Sequence, residues 1–471
     1  MPFAQEAGDA AWQALKGARH ESFWLADPDR PAARAALSGR TEADLVVVGA
    51  GLSGLWTALR AKERYPDLHV VVVEGDRIAT AASGRNGGFL SASITHGHAN
   101  GIERWPAEFR TLYRLGLTNF AEIQATIERY GIDCDFACHG EFDVATEDYQ
   151  VEHLRHHAQL YAEYGVEIEQ FDGPAIRSAI ASQTYRAALR DPNIASVNPA
   201  RLSWGLAAAA ESLGVQIHEG SEVLSVRRNG AKIRVGTRDG VIDASRVALT
   251  TAAHAPLLRR ISLFVVPVFD HVVVTTPLPP DVRAALRWQG REGVADAGNQ
   301  FHYYRLTPDD RILWGGYDAV YQAGERPGSV LEQDSALSAR LVQHLFDTFP
   351  EVAGTTIDYT WAGAIDTCSR FSAFWGSAFA GQLAYVTGFT GLGVGASRFG
   401  AEVLIDKLMG ERTERTELQM VRSKPLPFPP EPMRQFAIDI TRKSLADADA
   451  NNGRRNLWLR TLDRVGLGFD S

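Results

Sequence analysis

The order of apolar and polar positions divides the chain into two kinds of strand and a set of amphipathic helices. Leu45–Val48 is a continuous apolar, mostly β-branched run, which predicts a strand buried on both faces. Leu55, Ala58 and Leu59 then recur at helical spacing, and His69–Val73 is a second apolar run that ends at Glu74. Helical periodicity returns over Arg104–Tyr130, Val151–Tyr164, Pro199–Leu213, Ser335–Phe349, Ala396–Met409 and Met433–Phe469. Short strands are predicted at Ile132–Thr146, Val166–Gln170, Val215–His218, Val223–Arg227, Lys232–Thr237, Val241–Ala244 and Arg246–Ala252. A second strand run covers Phe264–Thr276, Phe301–Leu306 and Ile312–Asp318, and Trp361–Asp366 and Leu383–Thr387 close the series. Strands that alternate with helices at the start, followed by strands in series, predict an α/β (α+β) chain.

Between the first apolar run and its helix stands Gly49-Ala50-Gly51-Leu52-Ser53-Gly54. Gly49 permits a tight turn, Gly51 lets a pyrophosphate approach the backbone, and Gly54 lets helix and strand pack closely. The free N–H groups where this helix begins attract phosphate charge. Glu74 can accept hydrogen bonds from both hydroxyls of a ribose, and its charge repels a 2′-phosphate, which argues against NADP. Strand, glycine turn, helix, strand and acid make a complete dinucleotide-binding unit, which recognises an ADP moiety and leaves FAD and NAD both open. Ala82-Ser83-Gly84-Arg85-Asn86-Gly87-Gly88 follows; its composition suits equally a loop wrapping a long ligand and a flexible surface loop. A second glycine-rich turn, Gly388–Gly395, precedes the Ala396–Met409 helix and can aim further N–H groups at a polar ligand edge.

With 471 residues, 45% hydrophobic and 22% charged, the composition is that of an ordinary globular protein of two interleaved domains. A formal charge of −9 argues against nucleic acid as a main partner. Three cysteines are too few for a disulfide scaffold, and the Cys134/Cys138 pair alone cannot complete a zinc site, so no metal is expected and both thiols are read as interior. Met1–Gly17 lacks the apolar core of a signal peptide, and no apolar run approaches the ~20 residues of a membrane span. A cytoplasmic location is the expectation. Residues 1–40 read as a polar arm lying on the surface. Pro425–Pro432 is an extended proline segment, and the Arg-rich tail beyond it has Phe436, Ile440, Leu445, Trp458, Leu462 and Val465 as anchors for packing back onto the body.

The N-terminal dinucleotide unit, the ASGRNGG loop and the late glycine turn together resemble the D-amino-acid-oxidase-type superfamily of FAD oxidoreductases, from about Glu42 to Gly410. Within it the chain is similar to γ-glutamylputrescine oxidase-like enzymes. The resemblance implies a Rossmann-like FAD-binding domain interleaved with an antiparallel-sheet substrate domain. Its segments are an N-terminal arm (1–40), FAD-binding parts at 41–103, 191–256 and 359–412, substrate parts at 104–190 and 257–358, and a proline-rich linker with a helical tail (413–471). By resemblance, Gly49, Gly51, Leu52, Ser53, Gly54, Glu74 and Gly75 hold the ADP half, with Val223 at the adenine. Ser83, Gly84, Arg85, Asn86, Gly87 and Gly88 line the pyrophosphate and the approach to the ring, with Thr251 and Ala252 at the end of a strand of the same domain. Gly391, Leu392, Gly393 and Val394 offer N–H groups to the flavin pyrimidine edge. Relatives with covalent flavin use a His after the first unit, where this chain has Arg85-Asn86-Gly87, or a Cys at a position matching Ala364. Non-covalent FAD is therefore expected, with Cys368 as the nearby thiol to watch.

The resemblance also implies hydride transfer from the carbon beside a neutral amine to flavin N5, hydrolysis of the imine, and reoxidation by O2 giving H2O2. On the strand Phe301–Leu306, alternation puts Phe301, Tyr303 and Arg305 on one face and His302 and Tyr304 on the other. Similarity to sarcosine oxidase places an active-site tyrosine at Tyr303 or Tyr304. It also matches the oxygen-activating lysine of that enzyme to Trp314, with His271, His302 or Arg305 as alternative cations. Asp318 reads as a partner for a substrate ammonium or as a turn carboxylate. The segment Trp361–Asp366 has no arginine to hold an α-carboxylate, which favours a diamine, a polyamine conjugate or a secondary amine over a simple amino acid. The alternatives are a flavin dehydrogenase with a non-oxygen acceptor and a non-catalytic flavin-binding subunit. Which amine, which acceptor and which oligomeric state are left open by the sequence.

Overall fold

The computed structural model describes the chain apart from residues 1–2, 4–5, 255, 319, 325–333, 465 and 468–471, so the anchor Val465 lies outside the described residues. Two eight-stranded sheets carry the architecture. The first sheet runs in the order Phe374–Ala378, Leu383–Thr387, Gly240–Leu249, Gly39–Val48, Val70–Val73, Gln216–His218. Strands Ser225–Asn229 and Lys232–Gly236 extend it from Gly240–Leu249. Gly39–Val48 pairs in parallel with both of its neighbours. All four valines of Val70–Val73 are buried, because helices cover one face of this sheet and a cluster that includes Ile233, Val235, Ile261 and Phe374 fills the other. Two expected strands, Val241–Ala244 and Arg246–Ala252, are one, Gly240–Leu249.

Helix Leu52–Arg64 crosses helix Gly393–Met409 through small and apolar residues (Leu55, Ala58, Leu59, Ala401, Leu404). A buried ion cluster holds the pair. Asp406, fully buried, accepts from Arg64 (2.7 Å), Arg415 (2.9 Å) and Thr413 (2.7 Å), and Glu402 pairs with Arg60 (2.6 Å) and Arg64 (2.8 Å). Gly410, at φ 73°, ends the second helix in the left-handed conformation that glycine adopts freely.

The second sheet runs Ile357–Thr367, Val266–Thr275, Ile312–Gly316, His302–Leu306, Gly293–Asp296, Glu141–Ala145, Ala187–Asp191, Glu169–Asp172. It is antiparallel except where Gly293–Asp296 lies parallel to Glu141–Ala145. Strand Ile357–Thr367 belongs to this sheet over its whole length, so the chain returns to the first sheet only after Thr367. One face packs on helices Ser335–Thr348 and Asp9–Ala14, and the other looks towards the glycine turns of the first sheet.

The first forty residues are not the surface arm expected. Ala11, Ala14, Trp24 and Leu37 are buried, because the segment passes from the outer helices of the second sheet across to the edge of the first. The tail forms two helices, Met433–Ala450 and Leu457–Arg464. Asp449 on the first of them accepts the backbone N–H groups of Asn299 (3.0 Å) and Gln300 (2.9 Å), ahead of strand His302–Leu306. Among the described residues no helix is long and apolar enough to cross a membrane.

Candidate functional site

The first glycine turn is held from several sides. Gly49 has φ 101°, and the hydroxyl of Thr250 donates to the carbonyls of Val48 (2.8 Å) and Gly49 (3.2 Å). A Cβ on Gly54 would stand 1.9 Å from the Gly49 carbonyl oxygen, so only glycine lets this helix start so close to the strand. A Cβ on Gly51 would fill the space beside Ser83 Oγ (2.7 Å), which itself accepts the Leu52 N–H at 2.9 Å. Glu74 faces the turn, its carboxylate accepting from the N–H of Ala50 (2.7 Å) and of Asp76 (3.0 Å). The N–H groups of Gly51 and Ser53 have no acceptor among the described residues. Gly75 approaches Glu222, beside the half-buried Val223, and Thr251 and Ala252 follow Thr250 at the mouth of the turn.

The loop Ala82–Gly88 closes on itself through Asn86, whose amide donates to Ala82 O (2.9 Å) and Ser83 O (3.1 Å) and accepts the Gly88 N–H (2.9 Å). Arg85 reaches Thr80 O (2.9 Å) and Ala362 O (3.0 Å), tying the loop to the second sheet. The late turn contains Gly388 (φ 81°), Thr390 (φ 51°) and Gly391 (φ 92°). Asp366 braces it, its carboxylate accepting from Gly388 N–H (2.6 Å) and Thr387 Oγ1 (3.1 Å). The N–H groups of Gly391, Gly393 and Val394 have no acceptor among the described residues, and beyond the Cα of Gly391 lies open space. His96 and Phe371, also at positive φ (62° and 57°), stand ring to ring beside Thr390. Three left-handed non-glycine residues meeting at one turn mark a strained, over-determined site. Glycines at the points of close approach, unpaired N–H groups at two helix starts and an acid at the end of the second strand fit an extended FAD.

The second sheet presents one face to these turns. Tyr303, Gly315, Val272 and Trp361 are in register across four strands on that face. The Tyr303 ring fills the space that a Cβ on Gly87 (2.7 Å) or Gly315 (2.6 Å) would need, and its hydroxyl donates to Asp270. Burial pushes Asp270 up to about 6, against the lowering effect of that hydrogen bond and of the N–H groups of Gly316 and His271. Burial, with the Asp270 charge adding to it, raises Tyr303 well above its usual value, so it is a neutral donor. Further along the same face stand Glu141 and Asp143, without a side-chain hydrogen bond among the described residues. Glu141 Oε2 lies 3.3 Å from where a Cβ on Gly293 would be, and that Cβ would also strike the ring of Phe89, which packs on Tyr303. Burial, with the Asp143 and Asp191 charges, raises Glu141 to about 8; burial and Asp296 raise Asp143 to about 7. Both side chains keep accessible surface although protein surrounds them, so they border an internal space.

Four of the residues expected in the reaction site are elsewhere. Tyr304 and Trp314 stack at 4.0 Å and are buried in the core under helix Ser335–Thr348. His302 is on the same outer face, bonded to Asp296 (2.6 Å) and His344 (2.9 Å). The period of two that brings Tyr303 to the glycine loop turns its neighbours away. Asp318 also lies on the outer side, near Arg340 (3.8 Å) and Arg442 (3.7 Å). Of the cations considered for oxygen, His271 and His302 are on the outer face, and Arg305 alone reaches the loop side. It donates to Val197 O (2.7 Å) and lies over the rings of Trp24 (5.1 Å) and Phe89 (6.0 Å). Cys138 is exposed, not interior as expected; Cys134 is buried. Cys368 is buried beneath the late turn, its thiol directed at the carbonyls of Ser372 (3.2 Å) and Gly388 (3.4 Å).

Asp270, Glu141, Asp143, Asp366 and Thr250 were not singled out from the sequence. A signal existed for three of them: Asp270 interrupts the apolar strand Val266–Thr275, and Glu141 and Asp143 alternate with Phe142 and Val144, which puts two acids on one face.

Comparison with known proteins agrees with this geometry. The family model described as DAO, FAD dependent oxidoreductase, matches residues 44–407. The chain is 32% identical over 400 residues to the gamma-glutamylputrescine oxidoreductase of Escherichia coli (strain K12), covering 83% of this chain and 89% of that protein. It is 23% identical to the sarcosine oxidase subunit beta of an Arthrobacter species over 341 residues, 69% of this chain and 76% of the relative. Among solved structures, glycine oxidase from Geobacillus kaustophilus shares the fold, with a TM-score of 0.67 at 20% identity, covering 80% of this chain and 96% of that one.

Proposed function

We propose, from the premise that this chain belongs to the DAO family of FAD-dependent oxidoreductases, that it oxidises the C–N bond of an amine whose substrate carries a second positive charge. The observation that supports this reading is the cluster of acids on the sheet face opposite the glycine loop. Burial raises Asp270, Glu141 and Asp143 towards neutrality, an ammonium beside them favours their charged form, and Trp361–Asp366 offers no cation to a substrate carboxylate. Low-dielectric surroundings strengthen the attraction between such carboxylates and an ammonium. The likeness to an enzyme named for γ-glutamylputrescine supports an amine as the substrate class.

FAD, when bound, supplies the two-electron acceptor for the C–H bond beside nitrogen. Tyr303 and Asp270 form the polar pair nearest the glycine loop. In its ionised form Asp270 takes a proton from the substrate ammonium, which leaves the nitrogen lone pair free to assist loss of the C–H hydrogen. Tyr303 holds the carboxylate in place. Glu141 and Asp143 hold the distal ammonium and so set which carbon faces the cofactor. Asp366 keeps the N–H groups of Gly391 and Gly393 turned to the cofactor edge. The imine product leaves for water, which hydrolyses it to a carbonyl compound and the freed amine.

FAD is held without a covalent bond in this reading, since Cys368 is turned into the core under the turn. For reoxidation, Arg305 is the cation on the loop side that can stabilise reduced oxygen, giving H2O2. Its guanidinium is already engaged with Val197 and two aromatic rings, and no lysine stands on this sheet face. That observation favours, as a second reading, an acceptor other than oxygen. The test is an anaerobic screen of mono-, di- and polyamines and N-methyl amino acids, followed by admission of air. Bleaching of the flavin by amines with a second cationic group supports the substrate reading; bleaching by α-amino acids alone refutes it. Fast reoxidation with peroxide selects the oxidase, and a long-lived reduced flavin selects the dehydrogenase.

A further inference from the structure

Three successive carbonyls of the glycine loop are each taken by a side chain from outside it. Gly84 O accepts from Ser22 Oγ (2.6 Å), Arg85 O from Trp361 Nε1 (2.8 Å) and Asn86 O from Trp24 Nε1 (2.8 Å). Ser22, Trp24 and Trp361 are 2%, 1% and 2% exposed, so these bonds form away from competing water. A trans peptide is planar, with its N–H directed opposite to its carbonyl. Fixing the carbonyls of Arg85 and Asn86 on one side therefore fixes the N–H groups of Asn86 and Gly87 on the other, where neither has an acceptor among the described residues.

Two of the three donors come from the N-terminal leader, which precedes the family match beginning at residue 44. This segment is pinned on either side of the contact. Arg19 exchanges backbone hydrogen bonds with Asp358 and Thr360 of the second sheet (both 2.9 Å), and helix Asp9–Ala14 packs on its outer helix. On the other side Arg34 forms a two-pronged pair with Glu211 (2.8 Å each), and the Leu37 N–H reaches Ser221 Oγ (2.8 Å). Leu25 fills the space in which a Cβ on Gly84 would lie, 2.8 Å away.

We infer that Trp24 is a positioning residue of the cofactor site: by holding the Asn86 carbonyl the leader turns the Gly87 N–H into the cleft, as Trp361 does for that of Asn86, and thereby sets how tightly FAD is held, whereas Ser22 holds a peptide whose N–H is already bonded to Ala82 O (3.3 Å). The cofactor site then has three parts, the two glycine turns of the first sheet and a clamp that the leader lays across the loop between them. The leader acts through the loop's peptide planes.

The test uses the full-length protein with FAD removed and restored. Trp24→Phe keeps the ring and loses the donor; Ser22→Ala removes a bond to a peptide whose N–H is already paired and serves as the control. FAD affinity is read by quenching of flavin fluorescence, and melting temperature is read with and without saturating FAD. Trp24→Phe is expected to weaken FAD binding by about five- to tenfold, the worth of one buried hydrogen bond, whereas Ser22→Ala leaves FAD affinity close to that of the wild type. Because a ligand stabilises by RT ln(1 + [L]/Kd), the rise in melting temperature produced by FAD shrinks in step. Unchanged affinity in Trp24→Phe, with the melting temperatures of the apo and FAD-bound forms falling together, would make the leader a brace for the fold and overturn the proposal. So would a Ser22→Ala variant that loses as much FAD affinity as Trp24→Phe.

Discussion

Replacing Tyr303 by Phe removes one oxygen atom and isolates one contact. The ring still fills the gap between Gly87 and Gly315, but Asp270 loses its side-chain donor and keeps only the N–H groups of His271 and Gly316. A hydrogen bond to a charged group is worth about 1.5–3 kcal/mol. At 1.36 kcal/mol per pKa unit, its loss raises Asp270 by about one to two units. The wild-type carboxyl is at about 6, so in Tyr303→Phe it titrates near pH 7–8, about one to two units higher. Below that value the carboxyl is neutral and cannot accept the ammonium proton, so the acid limb of flavin reduction moves to higher pH. The sign for stability follows from the same shift. Asp270 binds its proton more tightly folded than unfolded, so its contribution is full below the unfolded value of about 3.9 and is lost as pH rises through 6. The assay is anaerobic stopped-flow bleaching of the flavin by a diamine between pH 5 and 9, with Asp270→Asn alongside. An acid limb at the same pH in wild type and Tyr303→Phe, or one that survives in Asp270→Asn, would refute the reasoning.

Three further outcomes are expected. Glu141→Gln with Asp143→Asn raises KM for diamines about ten- to hundredfold, the worth of a buried charge-assisted bond, and affects monoamines much less; an equal change for both, in steady-state kinetics, contradicts the distal-ammonium site. Asp406→Ala leaves Arg64 and Arg415 facing an empty buried position and costs about 3–5 kcal/mol in denaturant unfolding; a loss under about 1 kcal/mol would show that the cluster is well solvated. Precipitation with acid releases the yellow colour to the supernatant, because Cys368 faces the core; a yellow pellet shows a covalent flavin.

What the sequence disclosed depended on the reach of each signal. The turn Gly49–Gly54 with Glu74 is contained in a short stretch, and every reason for its glycines is local: a positive φ, a helix starting against a strand, a close approach. The faces of His302–Leu306 were equally plain from alternation. Which face meets the glycine loop was not, because that depends on Ser335–Thr348 and Asp9–Ala14 covering the outer side, contacts far apart in the chain. The same gap sent Trp314 to the wrong place, since a bulky aromatic suits a core as well as a site. The leader reads as a surface arm because its apolar residues are mostly alanines without a sustained helical or strand period. Trp24 and Leu37 are buried by partners that only the assembled sheets supply.

Asp449 gives the order of synthesis a meaning for the enzyme. Both glycine turns and their helices lie before Gly410, and the ion cluster that holds those helices is complete by Arg415, whereas the loop leading to Tyr303 keeps two uncapped N–H groups until Asp449 leaves the ribosome. Since domains fold as they emerge during translation, a nascent chain can take up FAD before its substrate wall is firm. A flavin loaded at that stage would face a sheet whose Asn299–Gln300 turn has yet to receive its cap from the tail.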